Sequence, residues 1–89
     1  MIRREARIQN RLGLHARAAA RFVHTAARYE AKITAGRDGR VMDGKSILGI
    51  LLLGASRGTT IEITAEGADE EAAIEALVAL VEDRFGEDA

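Results

Sequence analysis

The segment Thr59–Glu66 alternates strictly, with Ile61, Ile63 and Ala65 on one side and Thr60, Glu62, Thr64 and Glu66 on the other. A strand with that period has one face on apolar material and one face in water, so its sheet is covered on a single side. The rest of the chain has to supply that cover. With 89 residues there is material for one modest core and not for two, which predicts a single domain over residues 1–89. No cysteine is present, so neither a disulfide framework, thiolate chemistry nor a zinc cluster can hold or activate the fold.

The remaining segments read as an alternating series. Ile2, Arg4, Ala6 and Ile8 alternate with Arg3, Glu5, Arg7 and Gln9, a mixed strand with one buried face. Ala16 to about Arg28 is alanine-rich, and Ala19, Phe22, Val23 and Ala26 fall on one stripe at helical spacing. A strand over Ala31–Ala35 carries Ile33 inward, Gly36-Arg37-Asp38-Gly39 turns the chain, and Arg40-Val41-Met42 returns as a hairpin. Ser46 stands as a helix cap before the apolar run Ile47–Leu53. Gly67-Ala68-Asp69 opens a last helix reaching about Arg84, acidic at its start as the dipole prefers, with a core stripe of Ile74, Leu77, Val78, Val81 and Phe85. The order is βαββαβα, which predicts an α+β open-faced β-sandwich: a four-stranded antiparallel sheet with three helices on one face.

Chemistry concentrates at Asn10-Arg11-Leu12-Gly13-Leu14-His15-Ala16-Arg17. An Asn/Gly turn delivers a histidine to the start of the first helix, where backbone N–H groups are unpaired and the macrodipole is positive. Anions, phosphate above all, are stabilised at such a place. A ring nitrogen there can act as a nucleophile toward phosphorus. The plainer readings of His15 are an exposed turn residue or a helix cap. A serine such as Ser46 before an apolar helix is, by itself, an N-cap.

Composition excludes other classes. A formal charge of −1 gives no global attraction to nucleic acid or anionic membrane, and 3% aromatic residues leave no base-stacking platform. A small nucleic-acid binder using Arg3, Arg7, Arg11, Arg17 and Arg21 is therefore disfavoured. No segment approaches a membrane span, and Met1–Glu5 lacks the apolar run of a signal peptide, so a cytoplasmic protein is expected.

Gly13-Leu14-His15-Ala16-Arg17 resembles the active-site motif of the HPr family, the histidine-containing phosphocarriers of the bacterial phosphoenolpyruvate-dependent phosphotransferase system. Lys45-Ser46-Ile47-Leu48-Gly49 resembles that family's second signature, and Gly58–Ile63 its last strand. The resemblance spans essentially the whole chain, with two motifs at matching separation.

The resemblance implies a carrier, not an enzyme with turnover of its own. His15 would take a phosphoryl group on Nδ1 from enzyme I and pass it to a histidine of an EIIA-type protein. Arg17 would help neutralise the phosphoryl oxygens, with backbone N–H groups of Ala16 and Arg17 as further donors. No metal or other cofactor is expected. Ser46 would be phosphorylated by an HPr kinase/phosphorylase. Ile47, Leu48 and Leu51, beside Ala20, Arg17 and Arg21, would form the docking surface of a monomer. His24 is given no catalytic role.

The chain departs from many family members in having Ala18 where they have proline. This alanine-rich version, with the acidic ending Glu82–Asp88, resembles the nitrogen-related, regulatory branch. A competing function is a binding module that acts through Ser46 phosphate alone, with His15 idle.

Overall fold

The computed structural model describes residues 1–89. Its elements are β1 (Ile2–Arg7), α1 (Ala16–Ala26), β2 (Lys32–Arg37), β3 (Arg40–Asp43), α2 (Ile47–Leu52), β4 (Thr60–Glu66) and α3 (Glu70–Glu82), followed by a short turn at Arg84–Gly86. The strands form one antiparallel sheet in the order β1-β4-β2-β3. The open-faced α+β sandwich predicted above is the fold observed, with three helices covering one face.

The alternation of β4 decides the packing. Ile61, Ile63 and Ala65 are buried, joined by Ala6 of β1 and Ile33 and Ala35 of β2, while Thr60 and Glu66 are exposed. On the uncovered face the hydroxyls of Thr34 and Thr64 are hydrogen-bonded across the sheet, and Arg3 meets Glu62 at 3.6 Å. The helices supply the other half of the core. Phe22, Ala19 and Ala26 of α1, Ile50 of α2, and Ile74, Leu77 and Val81 of α3 are all essentially inaccessible.

Element ends differ from the periodicity in two informative places. The first helix stops at Ala26, where Ala27–Tyr29 tighten into turns, rather than near Arg28. The last helix stops at Glu82, so Phe85 does not continue its stripe. Arg84, Phe85 and Gly86 take φ of 56°, 55° and 77°, a run of left-handed residues that reverses the chain. A bulky residue is strained in that region. Complete burial of the Phe85 ring compensates. The reversal sends the tail back toward the start of α1.

Asp69 precedes α3 without capping it. Its carboxylate instead accepts from the backbone N–H groups of Glu30 (2.8 Å) and Ala31 (2.9 Å), latching the α1–β2 connection to the helix start. The Glu30 hydrogen bond is the largest influence on the Asp69 carboxyl; burial, next in size, opposes it, and the Ala31 hydrogen bond with the nearby Lys45 charge helps to hold the group below its ordinary range. A folded-state pKa that is depressed contributes stability above the unfolded value, and this is lost as pH falls through the folded one. Asp69→Ala should therefore lower Tm at pH 7, and the gap from wild type should narrow below about pH 4. A gap independent of pH in thermal melts would count against this latch.

Candidate functional site

The loop that presents His15 is clamped from beneath. Gly13 has φ of +66°, and a Cβ there would lie 2.6 Å from the carbonyl oxygen of Ala55, so only glycine fits. Leu14 is buried and its N–H donates to the same Ala55 oxygen at 2.9 Å. Asn10, fully buried, donates from Nδ2 to the Gly13 carbonyl at 2.8 Å. The histidine is thus delivered by a fixed loop.

His15 is the N-cap of α1, with extended backbone, and its Nδ1 accepts from the N–H of Arg17 at a long 3.3 Å. The helix-cap reading of this residue and the nucleophile reading are compatible, because the capping atom is the one carrying the lone pair. Its Nε2 lies 2.6 Å from Oε2 of Glu87. A nitrogen facing a carboxylate is the donor and one receiving an N–H is the acceptor, so the two contacts leave the proton on Nε2 and the lone pair on Nδ1.

Glu87 escaped the reading of the sequence, in which it was part of an acidic ending. Its side chain is only 12% exposed, and Oε1 accepts from Asn10 Nδ2 at 2.9 Å. Burial pushes its carboxyl up, but hydrogen bonds from Asn10 and His15, with the charge of Arg21, outweigh this and hold it below the ordinary value. Asn10 therefore bridges the presenting loop and the tail. No local pattern could reveal this, since Glu87 is 72 residues from His15.

The other expected site residues are placed as follows. Arg17 is exposed, free of any carboxylate, and lines with Arg11, Leu12, His15, Ala16, Glu87 and Ala89 a concavity of about 520 Å³. Ala16 is the first residue of α1, where its N–H has no intrahelical acceptor. Arg21 is half-buried and donates to the carbonyl of Phe85, so it secures the tail as well as bordering the site. Ala18 lies in the first turn and is fully buried. A missing N–H is tolerated there, which is why alanine and proline are both compatible with this helix start.

Ser46 caps α2, its Oγ accepting from the Gly49 N–H at 3.0 Å. Ile50 and Leu53 are buried, while Ile47, Leu48 and Leu51 are exposed. So is Leu52, which the sequence reading left out, and Leu12 on the His15 loop. Ala20 is half-buried and His24 exposed, without a hydrogen-bonded partner. Helices α1 and α2 pack together, and the Leu14 N–H on the Ala55 carbonyl ties the chain after α2 to the loop before α1.

Residues 2–83 match the family model described as the PTS HPr component phosphorylation site. The chain belongs to the HPr family. It is 42% identical over 87 residues, 98% of each chain, to the phosphocarrier protein HPr of Cupriavidus necator. The crystal structure of HPr from Thermoanaerobacter tengcongensis superposes over all of both chains with a TM-score of 0.96 at 46% identity. A dimer of HPr from that organism matches with a TM-score of 0.79 at 50% identity, covering 90% of this chain and 92% of its own. Family membership makes the chain a phosphocarrier component of a phosphotransferase system and not an enzyme. No helix is long and apolar enough to cross a membrane.

Proposed function

We propose that His15 accepts a phosphoryl group from the phosphohistidine of an enzyme I and passes it to a histidine of an EIIA-type protein. The observation that supports this reading is the pair of contacts on the ring, Arg17 N–H to Nδ1 at the helix start and Nε2 against Glu87, which together favour a lone pair on Nδ1. In the transfer, Nδ1 attacks phosphorus while the donor's N–P bond breaks and its electron pair returns to the donor imidazole. The positive charge that the new N–P bond places on the ring is balanced by the Glu87 carboxylate. Once Nδ1 is engaged, the Arg17 N–H that it had accepted is free to turn to the phosphoryl oxygens, beside the Ala16 N–H and the Arg17 guanidinium. Positioning and charge do the work, as phosphoryl transfer requires.

The exposed residues Ile47, Leu48, Leu51 and Leu52, with Leu12 and Ala20, suit an apolar docking surface around that histidine. Arg17 and Arg21 border it and favour acidic partners. Ser46 is a regulatory position in this reading: a phosphoryl ester on Oγ would put about −1.5 to −2 charges next to the docking surface and repel those partners. The working form is a cytoplasmic monomer.

The test is incubation with enzyme I and labelled phosphoenolpyruvate. An acid-labile label on His15 supports the carrier. A chain that takes label only at Ser46, acid-stable and from ATP with an HPr kinase/phosphorylase, would make it a binding module with an idle histidine. Arg17→Glu should slow uptake about a hundredfold, since it reverses a charge meant for the transition state. Being exposed, it should leave Tm nearly unchanged. Normal uptake with a lowered Tm would contradict the role given to Arg17.

A further inference from the structure

A second concavity, of about 330 Å³, opens where β1 ends. Its lining consists of Arg7, Ile8, Gln9, Arg57, Gly58 and Arg84, and it shares no residue with the concavity at His15. The backbone builds it deliberately. Ile8 N–H donates to Thr59 O at 2.8 Å and Gly58 N–H to Ile8 O at 2.7 Å, which clips the 56–59 loop against the strand end. Arg57 is thereby set opposite Arg7 and Gln9. The third wall is Arg84, held there by the left-handed turn that the buried Phe85 anchors.

Three arginines therefore line one cleft in a chain whose net charge is −1. None of the three is ion-paired, whereas Arg3 and Arg37 each have a carboxylate partner. Arg84 donates only to the backbone oxygen of Asp88, and no Asp or Glu lines the cleft. Like charges gathered without a counterion repel one another, and a guanidinium's planar fork matches phosphate oxygens best. We propose that this cleft binds a small, multiply charged phosphoanion, a ligand of the pyrophosphate or bisphosphorylated-metabolite class.

The position makes it an effector site. Arg84 lines the cleft, and three residues later Glu87 holds the His15 ring. An anion drawing on Arg84 acts on the same short strap that fixes Glu87. The binding itself is independent of the phosphocarrier reading; only its consequence for His15 rests on that reading.

The experiment is a titration of the full chain with pyrophosphate at constant ionic strength, near 0.15 M, where surface attraction beyond about 8 Å is screened. Backbone amide shifts are followed by NMR. Saturable shifts at Ile8, Arg57 and Gly58, with smaller ones at Glu87, are expected. Arg57→Ala and Arg7→Ala should each weaken binding about tenfold, the loss of one charged contact, and His24→Ala, at an exposed position outside both concavities, should leave it unchanged. Shifts reproduced by sodium chloride, or centred on His15, Ala16 and Arg17, would overturn the site. So would equal affinity in the Arg57→Ala, Arg84→Ala double variant. Tighter binding of a short RNA than of pyrophosphate would overturn the small-ligand assignment.

Discussion

His15→Ala should abolish acid-labile labelling from enzyme I and phosphoenolpyruvate, leaving no detectable phosphoprotein after incubation that fully labels the wild type. The other histidine, His24, lies exposed on α1 with no carboxylate on its ring, so it offers no substitute. His24→Ala should accordingly label as the wild type does. Loss of the imidazole also removes the cap of α1, which costs about 1 kcal/mol. Asn10 still holds Glu87 in that variant, and the loop beneath remains clamped by Gly13 and Leu14 on Ala55. The variant should therefore fold, with a modest fall in Tm and an unchanged far-UV spectrum. Retained labelling in folded His15→Ala protein would remove this residue from the transfer chemistry.

The largest loss of stability is expected from Phe85→Ala. The ring is wholly buried against the helices, and removing such a side chain costs about 3–5 kcal/mol. That is a large share of the roughly 5–15 kcal/mol by which domains of this kind are stable. A local effect accompanies the global one. Without its anchor, the left-handed run at Arg84–Gly86 has nothing to offset its strain, and the tail that carries Glu87 is released. Denaturant unfolding should show a reduced midpoint. Under native conditions the Arg21 hydrogen bond to Phe85 and the Glu87 contact to His15 should be lost together, seen as changed NMR shifts of the Asn10 side-chain amide and the Glu87 backbone amide. A variant that unfolds earlier but keeps the wild-type shifts at Asn10 and Glu87 would show that the anchor and the site are uncoupled.

These two variants divide what local pattern carries from what it does not. The period-2 alternation of β4, the helical stripe Ala19–Phe22–Val23–Ala26 and the cap at Ser46 are all local regularities, and each appears in the structure where the sequence puts it. The histidine proposed as the nucleophile was legible for the same reason, because a histidine preceding an alanine-rich helix is defined by its neighbours along the chain. In α2 the residues that the resemblance put on a docking surface, Ile47, Leu48 and Leu51, are exposed, and Leu52 is exposed with them. Phe85 looked like one more turn of α3 because its spacing from Val81 is helical. The reversal that buries it instead runs against local preference.

The sequence by itself determined the sheet with one covered face, the histidine at the start of the first helix and the serine cap of the second, since periodicity, capping and turn chemistry act over a few residues. Only the tertiary structure decided which nitrogen of His15 bears the lone pair, what Asn10 does, and which arginines share a cleft. Those depend on a chain reversal at Arg84–Gly86 that brings Glu87 to a loop far from it in sequence. A strained backbone stabilised by one buried ring is a balance between distant groups, and no stretch of neighbouring residues encodes it.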